Sequence, residues 1–368
     1  MKQATEKEEL EWLQKHYESI KMKQLVDTMK TIYVPSAKEI VEIIGRRFKT
    51  VRCASRKCGF IELELKRLEA VKDVAISKLK PVSSLPSTNS MNPFHKTLIE
   101  SFLGNEYNNS LLKVRKAIQN INKIWKDYSV FILAATSKPE AIKLRKEGSG
   151  RIISIIRRIA RNLEIIKIAR EEIIKTHIIS EGLPVVVVAG IPNSGKSTLV
   201  KRISSAKPEV APYPFTTKNI IVGKVHYGNY LFYVVDTPGV MEKPPSIHSE
   251  AERKAMVALS ALPDIILYLF DLSPNSTQEI EYQISLLQDI IREFTHNRST
   301  KVVIAANKID ETSITHYRKL LTELYPLIIQ KHNKLCVDEV IPISALKGHN
   351  ISILLSLITG CLYRSEKH

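Results

Sequence analysis

The chain has 368 residues, 44% hydrophobic and 25% charged, with a mean hydropathy of −0.09 and a formal net charge of +17. At roughly 150 residues per domain it predicts two domains, each able to bury a core. With no apolar run of about 18 residues, and only Cys53, Cys58, Cys336 and Cys361 as thiols, it excludes a membrane span and a disulfide scaffold.

The charged N-terminus, Met1 to Glu8, is unlike a signal peptide and predicts a soluble, intracellular, cytoplasmic protein. Residues 1–180 hold 35 Lys and Arg against 20 Asp and Glu, whereas residues 181–368 hold 20 against 18. Residues 111–170 alone carry 15 basic and 4 acidic side chains. So strong an asymmetry points to a polyanion met by the first half, nucleic acid being the commonest. Lys-rich helix faces that only keep a chain soluble are the alternative.

The first 180 residues read as helices. Leu10, Trp12, Leu13, Tyr17 and Ile20 fall near helical spacing, and Ser36-Ala37-Lys38-Glu39 forms a capping box ahead of Ile40. Further helices are expected over about 61–79, 110–135 and 139–177, with a loop at 81–90. This half predicts an all-α helical bundle, domain 1–180.

Character changes at Gly182-Leu183-Pro184. Val185–Ala189 is a short, wholly apolar, β-branched run, and similar runs recur at 230–235, 265–270, 301–306 and 339–343. Helical stretches at 249–262, 279–292 and 314–332 separate most of them. Alternating strands and helices predict a doubly wound, mostly parallel α/β sheet, domain 181–368.

Gly190-Ile191-Pro192-Asn193-Ser194-Gly195-Lys196-Ser197 matches G-x-x-x-x-G-K-[ST] between a strand and a helix beginning near Thr198. In that context backbone amides curl round phosphates, Lys196 reaches the β- and γ-phosphates and Ser197 ligates Mg²⁺. Asp236-Thr237-Pro238-Gly239 follows the strand expected to end at Val235. Asp236 can hold Mg²⁺, and the Gly239 amide can meet the γ-phosphate.

Asn307-Lys308-Ile309-Asp310 ends another strand. The Asp310 carboxylate can accept from guanine N1–H and its exocyclic amine, whereas adenine would leave that carboxylate unpaired. The Lys308 stem can pack along the base plane, and Ser344-Ala345-Leu346 can offer a backbone amide to the guanine oxygen. Together these motifs predict a GTP/GDP site in a P-loop GTPase domain.

The motif set resembles the translation-factor class of GTPases, and the Obg branch in particular. Ala211-Pro212-Tyr213-Pro214-Phe215-Thr216-Thr217-Lys218 is similar to that branch's first switch. The resemblance implies that Thr217 binds Mg²⁺, with Thr216 and Phe215 in the same loop, and that Lys196, Thr217 and Gly239 serve hydrolysis. Val240 stands where many small GTPases place a water-orienting glutamine, so unaided hydrolysis is expected to be slow. Asn193 stands where some relatives help hold K⁺, though it can equally cap its own loop.

The first half narrows the resemblance. Asn92-Pro93-Phe94-His95-Lys96, Tyr107-x-x-Ser110-Leu111 and Glu147-Gly148-Ser149-Gly150-Arg151 resemble the nucleolar GTP-binding protein family, in a compact form of archaeal type. That resemblance implies a switch in assembly of the large ribosomal subunit, with rRNA and precursor particles as partners and a monomer off the ribosome. In a eukaryote the location would be nucleolar. Lys113, Arg115, Lys116, Arg145, Lys146, Arg151, Arg157 and Arg158 are the candidate rRNA contacts. Trp12 and Trp125 fit a core better than a stacking surface. A GTPase supporting RNA processing, of the tRNA-modification type, and a nucleotide-bound structural placeholder on rRNA are the alternatives. Cys53 and Cys58 lack a second ligand pair, so Mg²⁺ is the metal expected.

Overall fold

The computed structural model describes residues 23–52, 59–176, 183–212, 219–237, 241–242, 253–254, 257, 262–295, 300–312, 317–318, 321–322 and 340–363. Trp12, Cys53, Cys58, Phe215, Thr216, Thr217, Gly239 and Val240 lie outside them, as does most of the helices expected over 249–262 and 314–332. Contacts divide the described residues into two compact units that interleave along the chain. One comprises Leu25–Met91 and Leu103–Ile174; the other joins Asn92–Phe102 to the residues from Lys175 onward. The segment 92–102 thus departs from a single cut at 180.

The first unit is helical. Helix α1 (Ala37–Thr50) starts at Ser36, whose Oγ accepts the Glu39 amide at 3.2 Å. The Glu39 carboxylate takes the Tyr33 hydroxyl at 2.9 Å, so the capping box has a different second partner. Helix α2 (Phe60–Ser83) buries Glu64, Leu68, Val71, Ala75, Leu79 and Val82 on one face. Pro81, expected to open a loop, lies in its last turn. There the missing proline amide forfeits a single helical bond before the chain stops.

Helix α3 (Pro93–Leu103) is followed by α4 (Glu106–Leu133), α5 (Lys138–Arg158) and α6 (Ala160–Lys175). The single helix expected over 139–177 breaks at Ile159, a position with neither Gly nor Pro to mark it. The motif residues in this unit do structural work. Tyr107 donates to the Pro86 carbonyl, Asn108 exchanges two hydrogen bonds with Thr88, and Asn162 donates to Ser110 Oγ. A Cβ on Gly148 would come within 2.9 Å of the Tyr128 ring, so the glycine lets α5 pass α4.

The second unit carries a seven-stranded sheet in the order β2-β3-β4-β1-β5-β6-β7. Strands β1 (Val185–Ala189), β4 (Tyr230–Asp236), β5 (Ile265–Asp271), β6 (Lys301–Asn307) and β7 (Ile341–Pro342) run parallel. Strands β2 (Glu209–Pro212) and β3 (Asn219–Tyr227) add an antiparallel edge. Helices α7 (Lys196–Ile203), α8 (Ile280–Thr295) and α9 (Ile351–Tyr363) complete the described elements. This is the predicted doubly wound, mostly parallel sheet beside a helical half. Cys361 is disulfide-bonded.

Helix α3 belongs to this unit. Phe94 and Leu98 share one core with Val187, Val235, Met241 and Tyr268. Asn92 caps the helix through the His95 amide at 2.8 Å. His95 is wholly buried, with Nε2 2.7 Å from Thr176 Oγ1, and burial lowers its pKa to about 3. Its unfolded pKa is about 6.5, so the unfolded chain takes up the proton first as pH falls. The stability that neutral His95 contributes is therefore complete above about 6.5 and is lost progressively towards pH 3. The slope is at most about 1.4 kcal/mol per pH unit. Urea melts from pH 7.5 to 4.5 on the wild type and His95→Asn check this, since the variant should lose that part of the slope.

Candidate functional site

The site is built where β1, β4, β6 and β7 end. Strand β1 is buried at all five positions, and the chain leaves it at Gly190, whose φ is +142°. A Cβ there would lie 2.5 Å from the Leu269 carbonyl, which only glycine avoids. Asn193 (φ +63°) and Gly195 (φ +94°) turn the loop back into α7. Left-handed backbone is a conformation asparagine tolerates, which by itself accounts for Asn193. At Gly195 a Cβ would lie 2.3 Å from Asn307 Nδ2. The loop thus closes directly onto the end of β6.

Asn307 is the tie. Its Nδ2 donates to the Ser194 carbonyl at 2.7 Å, and its Oδ1 accepts the Ala345 amide at 2.9 Å. One buried amide therefore joins the loop after β1 to the loop after β7. Lys308, at φ +64°, turns its ammonium to Asp271 Oδ2 at 2.7 Å, and Asp271 Oδ1 is held by the Ser273 amide and hydroxyl. Asp310 is exposed. Ser344 and Ala345 are buried, and Leu346 is 61% exposed. Thr198 is exposed at the first turn of α7.

Lys196 is buried at 5% exposure, and its ammonium donates to the carbonyls of Gly190 and Ile191. It also pairs with Glu242 Oε1 at 2.9 Å. The neighbouring Met241 carbonyl accepts the Gly190 amide at 3.4 Å. Residues 241–242 thus fasten to the loop at two points.

Ser197 donates to Asp236 Oδ2 at 2.5 Å, while Asp236 Oδ1, Thr237 Oγ1 and Ser194 Oγ are buried with no hydrogen-bond partner among the described residues. Burial raises the Asp236 pKa, opposed by the Ser197 hydroxyl and the Lys196 charge. A buried carboxylate with an unused oxygen beside a serine hydroxyl suits a hard, oxygen-seeking cation, so Ser197 and Asp236 fit Mg²⁺. No cluster of three His, Cys, Asp or Glu residues offers another metal site among the described residues.

The structure brings together Gly190, Asn193, Ser194, Gly195, Lys196, Ser197, Asp236, Asn307, Lys308 and the 344–346 loop. Sequence reasoning missed Glu242, which nothing nearby signals. It also missed Asp271, an acid closing a wholly apolar strand, which was a legible signal.

The basic candidates divide. Lys113, Lys116, Lys146, Arg151, Arg157 and Arg158 are exposed on α4 and α5. Arg145 instead pairs with buried Glu64 at 2.8 Å and lies over the Phe48 ring, because Glu64 needs a cation inside. Arg115, although exposed, donates to the Ser83 and Leu85 carbonyls. Trp125 is half-buried and covered by Lys72, whose Nζ is 4.2 Å from the ring centroid.

Comparison with known proteins matches residues 15–179 to the NOG1 N-terminal helical domain and residues 185–308 to the 50S ribosome-binding GTPase family. Along most of its length the chain is therefore similar to the nucleolar GTP-binding protein family. Its second half is a GTPase domain.

Among relatives, a Methanocaldococcus jannaschii protein described as uncharacterised is 36% identical over 64% of this chain and 63% of its own length. Nucleolar GTP-binding protein 1 of Drosophila melanogaster is 28% identical over 78% of this chain and 44% of its own. That of Saccharomyces cerevisiae is 29% identical over 62% and 35%. The chain thus spans less than two thirds of each of these relatives. No helix among the described residues is long and apolar enough to cross a membrane.

Proposed function

We propose that the chain is a guanine-nucleotide switch in assembly of the large ribosomal subunit, with the division near 180/181 separating an rRNA-binding half from a GTPase half. The observation that carries the nucleotide reading is Asn307, which locks the phosphate loop and the 344–346 loop together beside exposed Asp310. Asp310 accepts from the guanine N1–H and amine, while the Lys308 stem, its ammonium fastened to Asp271, lies along the base. Lys196 and the α7 amides hold the phosphates. Ser197, Asp236 and Thr217 would hold Mg²⁺, whose charge would offset the negative charge that develops on the phosphates.

With Val240 after Gly239, no side chain there orients water by hydrogen bonding, so GTP hydrolysis is slow. A K⁺ ion beside Asn193 would add positive charge at the phosphates, and hydrolysis compared in K⁺ and Na⁺ reports it. The exposed cations of α4 and α5 supply a salt-sensitive surface for rRNA phosphates.

The test is gradient sedimentation of the tagged chain from its own cell lysate, with GDP or a non-hydrolysable GTP analogue, at low and high salt. Nucleotide-dependent migration with large-subunit precursors is expected. Migration unchanged by nucleotide would favour a placeholder, and absence from every ribosomal fraction would overturn the ribosomal reading.

A further inference from the structure

Only one amide of the 344–346 loop lacks a hydrogen-bond partner among the described residues. The Ser344 amide donates to the His349 carbonyl, and the Ala345 amide donates to Asn307 Oδ1. Beyond the loop, the Lys347 amide takes Ser344 Oγ and the Gly348 amide takes the Ser344 carbonyl. The Leu346 amide remains, in a residue 61% exposed.

The direction of that amide is fixed from the far end of α7. Arg202 donates through Nε to the Ala345 carbonyl and through its second terminal nitrogen to the Leu346 carbonyl. In a trans peptide the carbonyl of one residue and the amide of the next point in opposite directions. The chain has no cis peptide among the described residues. A guanidinium pulling on the Ala345 carbonyl therefore turns the Leu346 N–H away from itself.

The planar fork of arginine, holding two successive carbonyls, restrains both peptide planes at once, which a single-point donor does not do. Gly348 makes room for it. A Cβ there would lie 2.9 Å from Arg202 Nη1, and its φ of +88° also favours glycine.

We infer that Arg202 is a specificity-determining positioning residue: by gripping the Ala345 and Leu346 carbonyls it aims the Leu346 amide at the O6 oxygen of a bound guanine. The inference rests on the guanine-nucleotide reading above. It gives the recognition of guanine two independent halves. Asp310 reads the N1–H and 2-amine edge, and the peptide held by Arg202 reads O6. The helix that opens at the phosphate loop thereby closes on the base-reading loop.

The experiment compares wild type, Arg202→Ala and Arg202→Lys for binding of GDP, 6-thio-GDP and IDP by titration calorimetry. 6-Thio-GDP weakens only the O6 acceptor, and IDP lacks only the 2-amine. Wild type should prefer GDP over 6-thio-GDP by about fivefold to tenfold, the range for one directed hydrogen bond. In Arg202→Ala that ratio should fall towards one, while the GDP-to-IDP ratio stays as in wild type. Arg202→Lys, with one donor in place of the fork, should fall between.

A full GDP-to-6-thio-GDP ratio in folded Arg202→Ala would overturn the assignment. So would an equal collapse of both ratios in the lysine variant, which would mean that the residue merely supports the fold. If wild type binds no guanine nucleotide at all, the nucleotide reading itself fails, a result distinct from either.

Discussion

Asp310→Asn is expected to weaken GDP binding by at least about a hundredfold and to turn the site towards xanthine nucleotides. The carboxylate at the exposed end of the Asn307–Asp310 loop offers two acceptors to two guanine donors. An amide keeps one acceptor and turns an NH₂ group against the guanine amine, so one contact is lost and one donor pair is set in opposition. Polar mismatches of this kind discriminate by several powers of ten where a missing methylene does not. Xanthine carries a carbonyl in place of that amine, and the asparagine amide complements it. Calorimetry with GDP and XDP reads both directions. Unchanged GDP affinity in the variant would mean that Asp310 does not touch the base.

The second large effect concerns Lys196 and Glu242, a buried lysine and a half-buried glutamate paired at 2.9 Å. Phosphates and the Glu242 carboxylate require the same ammonium. Lys196→Ala is expected to reduce affinity for GDP and GTP by about a hundredfold or more, since it removes the buried cation and leaves Glu242 as an anion facing the phosphates. Glu242→Gln should act oppositely, tightening nucleotide binding by about tenfold and slowing its release, because a neutral amide competes weakly for the lysine.

The two changes touch one interaction, so their effects should not add. In the Lys196→Ala background, Glu242→Gln should recover part of the loss by removing the repulsion. Stopped-flow binding and release of a fluorescent GDP together give the affinity and the release rate. Faster release from Glu242→Gln than from wild type would contradict the competition.

What the sequence disclosed follows from where each signal is local. The buried parallel strands β1, β5 and β6 are continuous apolar runs, and the loops that follow β1 and β6 are punctuated by Gly190, Gly195 and Asn307, so strand and motif confirm one another. Strand β3 escaped because its burial alternates and glycine interrupts it, leaving no apolar run to notice. The break at Ile159 and the length of α2 through Pro81 were hidden because packing, not local propensity, sets them. Within the site, the motif residues were readable one loop at a time. Arg202 and Glu242 were not, because each acts through a partner far away in the chain. Charge counting found the basic half but could not separate Arg145, which serves Glu64, from the exposed cations beside it.

The position of α3 has a consequence for how such a protein can be divided. Phe94 and Leu98 lie within the first 180 residues yet fill the same apolar core as Met241, five positions beyond Asp236. A GTPase half severed at the apparent boundary would lack both side chains and open a cavity beneath its own nucleotide loops, and the severed helical half would carry them uncovered into water. A GTPase unit cut from this chain therefore needs residues 92–102 supplied with it, and a piece that begins after 180 is expected to melt earlier than one that carries the segment.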